Sequence, residues 1–367
     1  MNKNRRQFIT GSTALVLSAT PWAAGAATAS AYEDAVRATW RHSSAPLTEK
    51  AALQRELVRH AILAPSSHNT QCWKFRLEAN AISILPDLAR RCPAVDPDDH
   101  HLYVSLGCAA ENLVHAAAAY GLHAQARYEA AGAGEVRIAF DGAKPVRSAL
   151  FEAIPRRQCT RGEYDGRPLS AQDLNLLAQA GGGRGVRVML LTERAKLDSV
   201  LDYVVQGNTA QVNDRAFVDE LKHWIRFSEA EAVEKGDGLF ARSSGNPTLP
   251  RWLGERIFRY VFTAKAENEK YVKQMRASSG VAVFVAEKND RAHWIEAGRC
   301  YERFALQAAA QGIRNAFLNQ PVEVPWLRMQ FAAFLGIGAQ RPDLIVRFGR
   351  GPALPSSLRR PVEAVLI

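Results

Sequence analysis

The sequence is poor in cysteine and lacks the common motifs that cysteine builds. Its five cysteines are scattered, odd in number and form no CxxC pair, which excludes a zinc ribbon and a thioredoxin-type redox centre. The GxSxG, HExxH and Walker patterns are also missing, so the usual signatures of serine hydrolases, zinc proteases and P-loop proteins are excluded. Any chemistry must therefore come from other polar residues.

No apolar run is long enough to span a bilayer comfortably, since the best candidate, residues 11–24, is short and contains Pro21. The N-terminus instead has a charged start with Arg5-Arg6, an apolar stretch and a small-residue site at 29–31. This layout resembles a twin-arginine export signal. We therefore predict a signal peptide at residues 1–31, export by the twin-arginine translocase and a periplasmic or otherwise exported protein. Such proteins fold before export in a reducing compartment, which makes disulfides unexpected.

The formal charge of +10 falls to +7 when Lys3, Arg5 and Arg6 are removed with the signal, because that segment has no acidic residue. No stripe of lysine and arginine alternates with aromatic residues, so we predict no nucleic-acid partner. With 47% hydrophobic and 23% charged residues the chain has a globular composition, and 367 residues suggest two cores.

Two segments of the chain match each other. Residues 107–121 and 298–312 both run from glycine to glycine, carry glutamate at the fifth position (Glu111 and Glu302) and have alanines in the second half. Strand-like segments precede both. Chance similarity of two alanine-rich helices is the alternative, but the order of several elements agrees. We predict two related units at residues 32–150 and 151–367.

Each unit has a polar segment that the other lacks. The first unit contains PSSHNTQCW at residues 65–73, whose hydroxyl and amide groups suit a polar, anionic ligand but also suit an ordinary turn. The second unit begins with RQCTR at residues 157–161. Each unit thus holds half of a site, and the halves should face each other across the interface.

These two motifs, together with the C-terminal RFGRGPALPSSLRRPVEAVL, resemble the FMN-dependent nitroreductase superfamily, in particular its fused, double-unit Acg-type branch. The resemblance covers most of residues 50–367. It implies an α+β, nitroreductase-like fold in which two tandem related units form an intramolecular pseudo-dimer, and therefore a monomer. Cys72 and Cys159 depart from the family pattern, which usually has proline and serine or threonine there.

The resemblance also implies where FMN binds. The first unit would contribute Ser66, Ser67, Asn69 and Gln71. The second unit would contribute Arg157 at the phosphate or ribityl chain, Cys159 along the ribityl chain, Arg161 at the N1/O2 edge of the ring, Asn319 and Gln320 near N5, and Arg359 and Arg360 at the phosphate. Solvated surface charge is the alternative for the arginines, and a turn before Pro321 is the alternative for Asn319 and Gln320.

By this resemblance the protein is an FMN oxidoreductase that passes a hydride or electrons through flavin N5 to a nitro compound, quinone or similar small-molecule acceptor. We name no catalytic residue, because transfer at N5 requires no side-chain acid or base. The electron donor is unknown, since NAD(P)H is not expected outside the cytoplasm. The alternative is a protein that sequesters or stores FMN without turnover.

Two further segments admit more than one interpretation. DPDDHH at residues 96–101 could suggest a metal, but we interpret it as a helix N-cap by Asp98 or Asp99 and predict no metal site. The Gly/Ser/Pro-rich residues 236–250 form either a lid over the flavin or a surface loop.

Overall fold

The structure is a computed structural model that describes residues 30–43, 47 and 49–367. Its strands are β1 (Trp73–Leu77), β2 (Ala81–Pro86), β3 (Leu122–Glu129), β4 (Glu135–Gly142), β5 (Val186–Leu191), β6 (Ile225–Arg226), β7 (Leu239–Phe240), β8 (Gly280–Ala286), β9 (Arg314–Phe317) and β10 (Pro342–Gly349). Strands β1–β4 form one antiparallel sheet. Strands β5, β8, β9 and β10 form a second one.

The helices cover both sheets and the region between them. They are α1 (Ala31–Thr39), α2 (Lys50–Ala61), α3 (His100–Ala119), α4 (Ala149–Ala153), α5 (Ala171–Gly181), α6 (Arg194–Asn213), α7 (Arg215–Trp224), α8 (Glu229–Lys235), α9 (Arg251–Val261), α10 (Ala264–Arg276), α11 (Arg291–Ala310), α12 (Gln320–Glu323) and α13 (Pro325–Phe334). None of the helices in this described part has the length and apolarity needed to cross a bilayer.

The two sheets share one connectivity. Their spatial orders are β1-β2-β4-β3 and β5-β8-β10-β9, which is 1-2-4-3 in both cases when the strands are counted along the chain. The long helices α3 and α11 each have 20 residues, and both their starts (100 and 291) and their ends (119 and 310) lie 191 residues apart. The predicted α+β class with two tandem units is confirmed. Their origin by duplication and the boundary near residue 150, which falls within α4, stay predictions.

Helices α3 and α11 cross at two glycines that were already conspicuous in the sequence. A Cβ atom added to Gly107 would lie 2.0 Å from the carbonyl oxygen of Ile295. A Cβ atom added to Gly298 would lie 2.0 Å from the carbonyl oxygen of Val104. Because each glycine meets the residue three positions before the other, the crossing is reciprocal, as expected for a pseudo-twofold axis. Only glycine allows the two backbones to approach this closely.

The hydrophobic core runs through both units. Leu106 and Ala109 of α3 are fully buried in the same cluster as Phe304 and Ala305 of α11. The central strand β8 is buried along its whole length, as its sequence GVAVFVA suggests for a strand covered on both faces. The units therefore share their core and hold each other in a fixed arrangement.

The C-terminal residues of the second unit form hydrogen bonds to β1 of the first unit. The backbone N–H of Phe75 in β1 donates to the carbonyl of Val365 (2.7 Å), and that of Ile367 donates to the carbonyl of Phe75 (3.0 Å). Residues 1–29 of the predicted signal peptide lie outside the described part of the chain. The Ser30 hydroxyl caps α1 by accepting from the backbone N–H of Glu33 (3.2 Å).

Candidate functional site

A cavity of about 620 Å³ lies between the two units. The first unit contributes the polar loop after α2, with Ser66, Ser67 and His68 in the wall. The second unit contributes Arg161, the end of β9 and the start of α12. A volume of this size is typical of small-molecule and cofactor sites. Ser66 and Ser67 from the first predicted half-site and Arg161 from the second therefore open onto one cavity.

The roof of the cavity is apolar. It consists of side chains from α7, from residues 239–249 and from α9, including Phe217, Leu239, Leu249, Ile257 and Phe258. The glycine-rich segment 236–250, which the sequence left open as a lid or a surface loop, thus supplies part of this wall. Apolar walls with a few polar groups exclude water from a bound ring and leave orientation to those polar groups.

The polar loop carries unusual backbone strain. His68, Asn69 and Gln71 have positive φ values of 48°, 54° and 54°, a region that side chains other than glycine rarely occupy. The Ser66 hydroxyl supports this conformation by accepting a hydrogen bond from the backbone N–H of Gln71 (2.8 Å). Strain of this kind persists only where surrounding contacts enforce it, and it concentrates at functional sites.

Asn69 and Gln71 supply those contacts. The Asn69 amide donates to the carbonyls of Gly238 (2.9 Å) and Leu358 (3.2 Å). The Gln71 amide donates to the carbonyl of Gly236 (2.8 Å) and accepts from the backbone N–H of Arg360 (2.8 Å). Both side chains are buried and fasten the roof segment and the C-terminal tail to the loop. Their predicted direct contact with FMN stays a prediction.

Arg161 is a cation in the cavity wall. Its backbone carbonyl accepts from the Gln274 amide (2.5 Å), but its guanidinium has no hydrogen bond or ion pair within the described ranges 30–43, 47 and 49–367. Burial, with a further contribution from the Arg161 charge, lowers the pKa of His68 to about 4, so His68 is neutral at physiological pH. An unpaired guanidinium in an apolar cavity is suited to an electron-rich ligand edge.

Arg157 and Arg359 lie together behind the polar loop and do not line the cavity. Nε of Arg157 is 3.2 Å from Oε1 of Glu302. Both guanidiniums donate to the carbonyl of Leu63, at 3.0 and 3.1 Å. Burial raises the pKa of Glu302 to about 7, against the opposing effect of the two arginines. The two guanidinium groups therefore have at most one negative charge, that of Glu302, to balance them. The resulting excess of positive charge favours an anion nearby.

Arg360 and Cys159 also lie outside the cavity wall. The Arg360 guanidinium donates to the carbonyl of Ala364 (2.6 Å). Cys159 lies in a short parallel bridge with Asn315 of β9 and is partly buried. The structure thus places Arg360 at the tail and Cys159 at a sheet edge, and their FMN contacts stay predictions.

Asn319 and Gln320 do line the cavity. The Asn319 side chain accepts from the backbone N–H of Ile345 (3.0 Å), which fixes the start of α12. The Gln320 amide donates to the hydroxyl of Tyr271, while its own side-chain oxygen is buried without a hydrogen-bond partner among the described residues. A buried amide oxygen of this kind is available to a ligand donor.

Sequence reasoning missed several polar residues of the wall. His101 and Glu323 lie in it, and Glu323 accepts from the Gln211 amide (2.6 Å). Burial raises the pKa of Glu323. No motif brings these residues together, because they come from α3, α6 and α12; His101 ends the DPDDHH segment, which the sequence indicated only as a helix N-cap. The predicted N-cap position is confirmed at Asp99, but the Asp99 side chain makes no capping hydrogen bond. Instead, the Asp96 carboxylate accepts from the backbone N–H groups of His101 and Leu102, both at 3.0 Å.

Comparisons with known proteins relate the chain to nitroreductases. No family model matches it. A protein of Mycobacterium tuberculosis H37Rv named "Putative NAD(P)H nitroreductase Rv3131" is 26% identical over 326 residues, which covers 85% of this chain and 90% of that protein. Its counterpart in strain CDC 1551 gives the same values. The similarity therefore extends over both units and supports a relationship to the nitroreductase family.

Solved structures resemble the chain more weakly. An FMN-dependent nitroreductase of Mycobacterium smegmatis in complex with NADPH has a TM-score of 0.37 and 13% identity, and the match covers 59% of this chain and 91% of that one. A nitroreductase with bound FMN from Bacteroides fragilis has a TM-score of 0.34 and 16% identity, with 56% and 89% covered.

Proposed function

We propose that the chain is an FMN-binding oxidoreductase of nitroreductase type, acting on a nitro compound, quinone or similar acceptor. The observation that supports this most directly is the cavity between the two units, where Ser66 and Ser67 of one unit face the unpaired Arg161 of the other. The full-length similarity to the mycobacterial relatives agrees with it. When bound, FMN would supply the hydride and electron chemistry.

The residues of the cavity fit the ring part of FMN. The Arg161 guanidinium would stabilise negative charge on the reduced ring, and the unpaired side-chain oxygen of Gln320 would accept from a ring N–H group. The hydroxyls of Ser66 and Ser67 would hold polar groups of the cofactor. The apolar roof would keep water away from the ring and orient a flat substrate against it.

The phosphate end would be held by the excess positive charge behind the polar loop. Arg157 pairs with Glu302, and both Arg157 and Arg359 donate to the carbonyl of Leu63, so an incoming phosphate would exchange part of these contacts for charge-assisted hydrogen bonds. Burial, with a further effect of Arg157, lowers the pKa of Arg359 to about 9. A bound phosphate would oppose that effect and hold the guanidinium charged.

The test compares Arg161→Gln with Arg156→Gln, because Arg156 is an exposed arginine five residues away. We expect the purified wild-type protein and the control to be yellow with one FMN per chain. We expect Arg161→Gln to bind FMN more weakly and to lower the flavin potential by about 30–65 mV, the equivalent of one charged hydrogen bond of about 1.5–3 kcal/mol. A colourless wild-type protein, or equal potentials in both variants, would contradict the proposal.

The second candidate is FMN sequestration without turnover. The roof built by residues 239–249 and α9 favours it, because a covered ring is poorly accessible to a second substrate. Addition of NADPH and then dithionite, followed by assays with nitrofurazone or menadione, separates the two. Reoxidation of the reduced flavin by an acceptor supports the oxidoreductase, and bleaching by dithionite alone without turnover supports the storage protein.

A further inference from the structure

Three potential metal ligands from distant parts of the chain meet at the edge of the cavity. They are His68 of the polar loop, Cys92 of the segment before α3, and Glu220 of α7. One ligand atom from each, a ring nitrogen, Sγ and a carboxylate oxygen, all lie within 4.8 Å of one another. His68 also lines the cavity, so the group is adjacent to the proposed flavin site without using any residue assigned to it.

The His68 ring takes no part in the hydrogen bonds that hold the polar loop. Its backbone is left-handed, with φ 48°, and its Nε2 atom is buried without a hydrogen-bond partner among the residues that the structure describes. The ring lies edge-on to Phe217, with centroids 6.5 Å apart. A strained backbone that positions an unpaired imidazole nitrogen inside the protein requires a compensating interaction.

The Glu220 carboxylate is held in place and lacks a cation. Its oxygens accept from the backbone N–H groups of Ala94 (2.9 Å) and Val95 (3.2 Å). Within the described part of the chain it forms no ion pair with a lysine, arginine or histidine; Arg215 and Lys222 pair with the neighbouring Asp219 instead. Each oxygen therefore keeps a lone pair for another partner. Backbone donors that orient a carboxylate in this way are typical of the outer shell of metal sites.

Cys92 provides the soft ligand. It is 4% exposed, forms no disulfide and packs in a cluster with Val95, Phe217 and Trp224. An apolar shell of this kind excludes competing water and strengthens a metal–thiolate bond.

We propose that His68, Cys92 and Glu220 bind a single Zn²⁺ or similar thiophilic divalent cation at the edge of the cavity. Neutral imidazole, thiolate and carboxylate together balance the charge of a divalent ion, which a buried site requires. Three protein ligands leave a fourth tetrahedral position, which a water molecule or a small oxygen ligand would take. This proposal does not depend on flavin binding.

A second cluster, Asp96, His100 and His101, is the alternative location for a cation. It is less suitable, because a ring nitrogen of His100 is already hydrogen-bonded to the Asp343 carboxylate (2.9 Å). It also lacks a thiol. Cobalt distinguishes the two, since only a cysteine ligand gives a thiolate-to-Co²⁺ charge-transfer band.

The experiment is titration of the metal-free full chain with Co²⁺ and Zn²⁺, followed by absorption spectroscopy and metal analysis. We expect one tightly bound cation per chain, a thiolate-to-Co²⁺ band that Zn²⁺ abolishes, and a higher melting temperature with Zn²⁺. Cys92→Ser should lose the band. Glu220→Gln keeps one amide oxygen that can accept from Ala94 or Val95 but loses the charge, and it should weaken Co²⁺ binding by about 10-fold or more.

Cys300→Ser is the matched control, because Cys300 is a fully buried free cysteine on α11 in the other unit. It should keep both the band and the stoichiometry. The proposal is overturned if the wild-type protein gives no thiolate band, if the band survives Cys92→Ser, or if Co²⁺ binds without any thiolate band. The last outcome would place the cation at the aspartate and histidine cluster.

Discussion

The reciprocal crossing of α3 and α11 allows a sharp test with a single methyl group. In Gly107→Ala, the added Cβ would lie 2.0 Å from the carbonyl oxygen of Ile295. Real contacts of this kind are at least 3.0 Å, so the two helix backbones must separate by about 1 Å (3.0 minus 2.0). No side-chain rotation can relieve this contact, because the backbone fixes the position of the Cβ atom and the carbonyl oxygen belongs to the main chain.

Two opposing effects set the result. Alanine is favoured over glycine within a helix by about 0.8–1 kcal/mol, which alone would stabilise the variant. Overpacking in a close-packed core costs about 1–3 kcal/mol, and a helix displacement also loses dispersion contacts along the whole crossing. We therefore expect a net loss of about 1–2 kcal/mol for Gly107→Ala, and the same for Gly298→Ala because of the reciprocal geometry.

The assay is calorimetry with urea unfolding, and the control is Gly142→Ala, since a Cβ at Gly142 meets no atom within 4 Å. A loss of this size lowers the melting temperature by about 2–3 °C in a chain of this length. The double variant should lose less than the sum, because the first methyl group already separates the helices for the second. An unchanged or raised melting temperature in Gly107→Ala would refute the close approach.

Two further predictions concern buried polar groups. Burial raises the pKa of Glu111, but His115, Arg303 and Arg299 outweigh it and lower that pKa to about 2. A depressed carboxylate pKa stabilises the fold above the unfolded value near 4.5, and the stabilisation is lost as the pH falls from 4.5 towards 2. Glu111→Gln should therefore lower the free energy of unfolding by about 3 kcal/mol at pH 7. In urea unfolding, the difference in this free energy between variant and wild type should narrow below pH 4.5, and a difference independent of pH would contradict the prediction. Gln71→Leu removes the Gln71 hydrogen bonds to Gly236 and Arg360, so residues 236–250 should be cleaved faster by proteases and exchange amide hydrogens faster. Gln179→Leu on the surface of α5 should leave both rates unchanged, and equal protection in the two variants would contradict the role of Gln71.

The sequence predicted the elements that depend on local pattern. The glycine-to-glycine segments became α3 and α11, and the loop and arginine motifs placed Ser66, Ser67 and Arg161 at one cavity. Hydrophobic spacing and turn residues suffice for the helices and the loop, because helix ends and loops follow short-range preferences, whereas the meeting of the two motifs was implied by the family resemblance.

Interactions between residues far apart in the chain could not be predicted from the sequence. Arg157 and Glu302 are 145 residues apart (302 minus 157), so nothing in the motif indicates that a carboxylate accompanies the arginine. His68 was passed over inside a loop of turn-forming residues, since its significance depends on Cys92 and Glu220 from separate elements. Likewise, Asn69 and Gln71 connect the polar loop to residues 236–238 through hydrogen bonds to carbonyl groups far along the chain.

The pairing of the tail with β1 has a consequence for synthesis on the ribosome. Phe75 bonds to Val365, which follows it by 290 residues (365 minus 75), so the edge of the first sheet stays open while all of the second unit is being made. The nascent first unit therefore exposes an unpaired strand edge of the kind that attracts other chains. Assembly of the cavity, whose polar loop is hydrogen-bonded to this tail at Leu358 and Arg360, is therefore coupled to completion of the polypeptide rather than to folding of either half.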